Sequence, residues 1–201
     1  YHELMKSPGC TTMDSASIYN NIGVNYEFLG KYDAAIEAYL SSVSIEAARN
    51  NDQGKYLSWI NIGVVAIKNN DFRTAIDYLN EASSFFLQQQ DSNRMALCYQ
   101  NKGIAFINLA KKDSAKYYIQ KALQIYEQLD QLPGQFEVLY NAGKNYALFE
   151  KDSKATLASI QQADIILSHL PAGLKSRYEP YLAYLKGDYY FNQGAYKEAK
   201  R

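Results

Sequence analysis

Residues 17–42, SIYNNIGVNYEFLGKYDAAIEAYLSS, decide the fold. Tyr19, Ile22, Gly23 and Tyr26 fall at i, i+3, i+4 and i+7, the apolar stripe of one helix. After Gly30 and Lys31 a second stripe runs through Ala35, Ile36, Tyr39 and Val43. The segment reads as two amphipathic helices joined by a short turn. A glycine within a helix costs about 1 kcal/mol relative to alanine, so Gly23 needs a packing reason. Close approach supplies one: with no side chain at Gly23 and only a methyl at Ala35, the backbones can near each other while Tyr26 and Tyr39 fill the flanks.

Outward from this stretch the same arrangement returns. Glycine recurs at Gly63, Gly103 and Gly143, a step of 40 residues, and at Gly187 after a step of 44. Twelve residues after each glycine stands an alanine: Ala35, Ala75, Ala115, Ala155 and Ala199. A fixed period of this size marks a repeat array. The pattern resembles the tetratricopeptide repeat, with its aromatic-x2-Leu-Gly-x2-Tyr and later Ala-x3-Phe signature. Tyr19, Ile22, Gly23, Tyr26, Ala35 and Tyr39 meet it in the first copy. Trp59, Ile62, Gly63, Ala75, Leu79 and Ala82 do so in the second, and Tyr99, Gly103, Phe106, Ala115, Ile119 and Ala122, more loosely, in the third. The fourth keeps Gly143, Tyr146 and Ala155 but has Leu139 for the aromatic and Ser159 for Phe. The resemblance implies an all-α fold, a right-handed α-solenoid of helix-turn-helix repeats. The 40-residue unit is similar to the long repeats of kinesin light chains, of the adaptors related to Pins, of Rap and PlcR regulators, and of bacterial histidine kinases and transcription regulators.

The expected repeats cover about 16–52, 56–92, 96–132 and 136–172, with a partial copy at 180–201 and, at 1–12, the tail of a preceding one. Within them the helices are expected at 33–49, 55–69, 72–90, 93–110, 114–129, 133–149 and 153–169, after a first one ending near Leu29. Asp71 and Asp113 are the expected caps, with Thr11 to Ser15 as candidates for the first helix, and Ser7-Pro8-Gly9 reads as a turn. Leu170 to Gly173 break the pattern, and Pro180 reads as the start of the last long helix. The chain opens on Tyr1 and closes on GAYKEAKR, barely into a second helix, so the reading expects a longer parent protein.

Composition narrows the function classes. Of 201 residues, 47% are hydrophobic, and 21 basic residues balance 21 acidic ones, so the positive field that nucleic-acid binding uses is missing. An RNA-reading helical repeat is thereby disfavoured. No apolar run approaches the roughly 18 residues of a membrane span, and no secretory leader opens the sequence. Membrane contact is not expected, and cytoplasmic or periplasmic placement stays open. Cys10 and Cys98 have neither metal-site spacing nor disulfide density, so no metal and no cofactor is expected. The only histidines are His2 and His169, with no activated nucleophile beside either and no phosphate-binding glycine loop. The chain does not read as an enzyme.

Two residues before each of the first four glycines stands an asparagine: Asn21, Asn61, Asn101 and Asn141. The resemblance places them on the concave face, where an amide can both donate to and accept from an extended peptide backbone. The alternative is that each amide bonds a neighbouring helix and holds the repeats in register. One turn on, Val24, Val64, Ile104 and Lys144 are expected to face the groove, with Glu27, Ile67, Ile107 and Ala147 beyond them. Inter-helix packing is the competing reading for these. The lysine and arginine clamp by which some members of the resembled family grip a carboxylate is missing, since Asn20, Val24, Leu57 and Asn101 stand there. Most of the 19 tyrosines fall at core positions, while Tyr181, Tyr184, Tyr189 and Tyr190, with Phe191, form a denser cluster that reads as an interface. The expectation is a non-catalytic peptide- or protein-binding module of a larger bacterial regulator. A structural adaptor, its groove filled by another copy in a homo-oligomer, is the alternative.

Overall fold

The computed structural model describes residues 12–150 and 152–194. The readings placed on residues 1–6, on the Ser7-Pro8-Gly9 turn, on His2, Cys10 and Thr11, and on Ala199 lie outside the described residues, as does the rest of the partial copy beyond Gly194. Among the described residues the regular structure is entirely helical: α1 (Thr12–Phe28), α2 (Tyr32–Ala48), α3 (Asp52–Lys68), α4 (Phe72–Gln88), α5 (Ser92–Asn108), α6 (Lys112–Gln128), α7 (Leu132–Asn145), a π-helical turn (Tyr146–Glu150), α8 (Ser153–His169) and α9 (Ala172–Asn192).

A local device sets the helix length. A residue with positive φ stands every twenty residues, at Gly30, Asn50, Asn70, Gln90, Ala110 and Asp130. At each, the following N–H reaches back across the helix end, as Lys31 does to the Tyr26 carbonyl at 2.9 Å and Asp71 to Ala66 at 2.8 Å. This is the Schellman arrangement, which satisfies carbonyls the helix leaves open. Each of α1 to α6 is consequently 17 residues long. At the other ends, Asp71 accepts from the Thr74 N–H, Asn51 from Gly54 and Asp152 from Ala155. Asp113 is not a cap: Lys111 holds the cap position of α6, and Asp113 lies in the first turn, where its charge still suits the helix dipole.

The chain forms two compact units, Tyr1–Asn101 and Lys102–Arg201. In the first, Ala35, Tyr39, Ile62 and Val65 are buried together, with Tyr32, Ile36, Val43, Trp59 and Tyr78 packed around them. A second cluster joins Ile60, Leu79, Ala82, Phe86 and Cys98. The repeat glycine is a notch for the residue sixteen positions on: a Cβ at Gly63 would meet Leu79 Cγ at 2.7 Å. The backbone approach expected at Ala35 is thus secondary to a large side chain seated on the glycine.

The second unit repeats the notch, with Gly103 against Ile119 Cδ1 at 2.6 Å. Its core gathers Phe136, Leu139, Ile160, Ala163, Leu167, Leu170, Tyr178, Leu182 and Leu185. Two helix boundaries in this unit differ from the expected ones by four residues or more. α7 ends at Asn145 and passes into the π-helical turn rather than running on as α-helix. Pro180 does not open the last helix, which begins at Ala172 and contains it. Pro180 is exposed while Tyr178 and Leu182 beside it are buried, so the carbonyl that the proline leaves without a donor lies toward solvent, and core packing carries the helix past it.

Candidate functional site

The first helices of the repeats carry the candidate surface, and each unit presents its own part. In the first unit, Asn21, Val24, Asn25 and Phe28 fall along one exposed stripe of α1, with Val24 49% and Phe28 93% exposed. Asn25 Nδ2 donates to the Asn21 main-chain carbonyl at 2.8 Å, and Asn21 is exposed. Asn61 behaves otherwise. Its Nδ2 donates to Asn20 Oδ1 of the preceding repeat at 3.0 Å, a register-holding bond between α1 and α3. Asn101 is buried and donates to the Leu97 carbonyl of its own helix at 2.9 Å.

Glu27 ties three helices together. One carboxylate oxygen accepts from Lys68 Nζ at 2.6 Å and the other from the Tyr39 hydroxyl at 3.2 Å. Burial first, and then the charge and hydrogen bond of Glu27, push the Tyr39 phenol far above its ordinary range. Val64 and Ile67 are half-buried against the Ile60–Leu79–Phe86 cluster and offer only part of their surface.

A family model fixes the kinship of this arrangement. The tetratricopeptide repeat model matches residues 16–49, 56–85 and 96–129. The chain belongs to the tetratricopeptide repeat family. No curated protein sequence matches it significantly. Solved structures show the same fold for this tetratricopeptide repeat chain at low identity. Aspartyl phosphate phosphatase F from Bacillus subtilis superposes with a TM-score of 0.68 at 17% identity. The match covers 99% of this chain and 50% of the phosphatase, so the chain spans half the length of that protein. BtubC from P. vanneervenii gives 0.58 at 14% identity, over 94% of this chain and 87% of that one. Nearly identical TPR-like repeats described as a kinesin light chain, from Podosopora anserina, give 0.67 at 12%, over 96% and 92%.

In the second unit of the tetratricopeptide repeat chain, Ile104 and Ile107 are 7% and 0% exposed, so both pack in the core and neither is open groove floor. Asn141 is half-buried, its carbonyl accepting from Asn145 Nδ2 at 2.8 Å, while Asn145 Oδ1 accepts from Asn108 at 3.0 Å. Lys144 is exposed and Ala147 half-buried. Three residues the sequence reading did not place on this face are Glu137, Tyr140 and Leu148, on α7 and the turn after it. Tyr178 of α9 donates to Glu137 at 3.0 Å, and its own pKa is raised, by burial first and then by that bond. Misplacing the start of α9 at Pro180 hid this pairing, although the 41-residue spacing from Glu137 to Tyr178 repeats that of Asn20 to Asn61 and Glu27 to Lys68. His169 lies in the last turn of α8, where a cation suits the helix dipole.

Among the described residues no cluster of three His, Cys, Asp or Glu side chains is placed to hold a metal ion. No described helix is long and apolar enough to cross a membrane.

Proposed function

We propose that the chain is a non-catalytic docking module that holds a protein or peptide segment on the first-helix faces of its repeats. The observation that carries this reading is the α1 stripe, where Val24 and Phe28 are 49% and 93% exposed on one helix face. Large apolar side chains left in water on one helix face mark an interaction surface. Asn21, Val24, Val64, Ile67, Asn141 and Lys144 are the ligand contacts proposed from the sequence that keep accessible surface and are not tied to another helix by their own side-chain bonds. Asn61 and Glu27 act mainly in holding the helices together. The likeness to a bacterial phosphatase twice as long supports placing the module within a larger bacterial regulator.

A test starts from peptides selected on the intact chain from a random display library. Changing Val24 to Asp and Phe28 to Ser together is expected to weaken a selected peptide at least tenfold with the melting temperature unchanged. Undiminished affinity would sink the reading.

Self-association has its own supporting observation. A groove of about 710 Å³ on the first unit is lined by Tyr19, Ile22, Tyr26, Leu29, Ala34 and Ala38, among others. One repeat later the matching residues Trp59, Ile62 and Tyr78 pack with the α2 cluster. A helix from a second copy is the proposed occupant of this groove, and Leu29→Glu is expected to abolish any dimer seen by sedimentation.

A further inference from the structure

The α7–α9 face of the second unit has a composition that the docking reading leaves unspecified. Tyr140 and Tyr181 meet edge to face, ring centroids 5.7 Å apart at 68°. Tyr184 stands one turn after Tyr181, and these two α9 tyrosines are 51% and 66% exposed. The tyrosines are not loose surface groups. Phe136 stacks on Tyr140 with centroids 6.3 Å apart, and Phe136 in turn packs against Tyr178 at 4.9 Å, so core rings back the platform. Burial, followed by the neighbouring phenols of Tyr184 and Tyr181, raises the pKa of Tyr140.

Opposite charges bracket the cluster along α7. Glu137, one turn before Tyr140, is exposed, with one carboxylate oxygen engaged by Tyr178. Lys144, one turn after, is exposed. Of the other charges nearby, Arg177 lies over the Tyr178 ring at 5.7 Å, and Asp188 is half-buried and accepts from Asn192 at 3.4 Å. Seven residues of helix put Glu137 and Lys144 about 10 Å apart along the axis. A polyproline-type segment advances about 3.1 Å per residue, so its side chains at i and i+3 span a similar distance.

We propose that Glu137, Tyr140, Tyr181, Tyr184 and Lys144 form a subsite for an extended proline-bearing segment that carries a basic and an acidic side chain three residues apart. This rests on the docking reading and adds the chemistry of the partner. The prolines lie on the tyrosine rings, the basic residue pairs with the free oxygen of Glu137 and the acidic one with Lys144. Phenol hydroxyls donate to main-chain carbonyls, which a polyproline helix leaves without internal partners. Such a segment is already extended in solution and loses little conformational freedom on docking. Lys144, with the Glu137 carboxylate two turns before it on α7, is a poor phosphate site, which separates this face from one that stacks nucleic-acid bases.

Fluorescence anisotropy with three labelled peptides, Gly-Lys-Pro-Pro-Glu-Gly and its Lys-Pro-Pro-Lys and Glu-Pro-Pro-Glu counterparts, tests the proposal on the intact chain. The mixed-charge peptide is expected to bind at least fivefold more tightly than either like-charged one, and Tyr184→Ala to weaken it at least tenfold. Lys144→Glu should shift the preference to Lys-Pro-Pro-Lys. Glu137→Gln, which keeps an acceptor for Tyr178, should erase the preference for the mixed-charge peptide over Glu-Pro-Pro-Glu. Equal affinities, no binding by any of the three, or indifference to Tyr184→Ala would overturn the subsite. The docking reading fails separately, on library-selected peptides that ignore the Val24 and Phe28 changes.

Discussion

The ring of Tyr39 lies across the α-carbon of Gly23, so that a methyl group added there would stand 2.7 Å from Cε1. Leu79 occupies the same place over Gly63, and Leu79 is fully buried. Gly63→Ala would gain about 1 kcal/mol of helix propensity but force an overpacked contact costing about 1 to 3 kcal/mol. The expected outcome is a lower melting temperature, and a still lower one for Gly63→Leu. At Gly143 the nearest neighbours are Ser159 Cβ at 3.0 Å and Leu185 Cδ2 at 3.1 Å, a milder conflict. Gly143→Ala is therefore expected to be close to neutral. Equal losses at the two sites, read by thermal denaturation, would refute the notch account.

The 40-residue period was legible because each copy folds mostly against itself and its neighbours, which leaves the same demand at the same register. The division of each unit into two equal halves was also present in the sequence, at Gly30, Asn50, Asn70 and Asp130, residue types that tolerate positive φ. Gln90 and Ala110 at the same step obscured it. The site was harder to read. Asn61 and Asn101 occupy one repeat position, yet one bonds a neighbouring helix and the other its own: the residue 41 positions before Asn61 is Asn20, with an amide acceptor, whereas the one before Asn101 is Ile60, with none. The Tyr140–Tyr181 pair joins residues 41 apart, and a proline read as a helix start concealed it.

Ala110 holds φ at 55°, a conformation that costs a residue with a Cβ about 1 to 2 kcal/mol. Glycine removes that strain, though the unfolded chain gains freedom in return. Ala110→Gly is expected to stabilise the protein by about 0.5 to 1 kcal/mol, seen as a higher denaturant midpoint with an unchanged slope. A destabilised variant would show that the strain is relieved elsewhere.

Pro180 interrupts α9 on its exposed side. Alanine there would restore a backbone donor and remove the ring's clash with the preceding turn, and a helix-interior proline costs about 3 kcal/mol. Pro180→Ala is expected to raise the melting temperature without altering helix content by circular dichroism beyond a few residues. A drop would mean that the packing of Tyr178 or Leu182 depends on the distortion.

The asparagine series separates stability from binding. Asn61→Ala breaks the bond to Asn20 and is expected to cost about 0.5 to 1.5 kcal/mol. Asn21→Ala removes an exposed side chain and is expected to stay within about 0.5 kcal/mol. A matched pair of melting curves decides this, and a loss at Asn21 as large as that at Asn61 would return both to a register role.

Tyr39 sets the alkaline limit. Its phenol titrates near pH 10 in an unfolded chain and well above that in the fold, with burial the leading cause and Glu27 the second. The folded state therefore holds the proton more tightly, and the stabilisation is complete below about pH 10 and lost as pH rises toward the folded value. Denaturant midpoints are expected to fall above pH 10, and Tyr39→Phe should flatten that fall while leaving the Glu27–Lys68 pair in place. Tyr140 and Tyr178, raised chiefly by burial, contribute with the same sign, so some decline remains in the variant. At the acid end the sign reverses. The Ala155 N–H, and more weakly Lys112, hold the Asp152 carboxyl below its usual range, so its contribution is present above about pH 4 and disappears as pH falls through the folded value. Asp152→Asn should keep the cap bond to Ala155 but remove this acid dependence, and an unchanged acid limb would place the loss at other carboxylates.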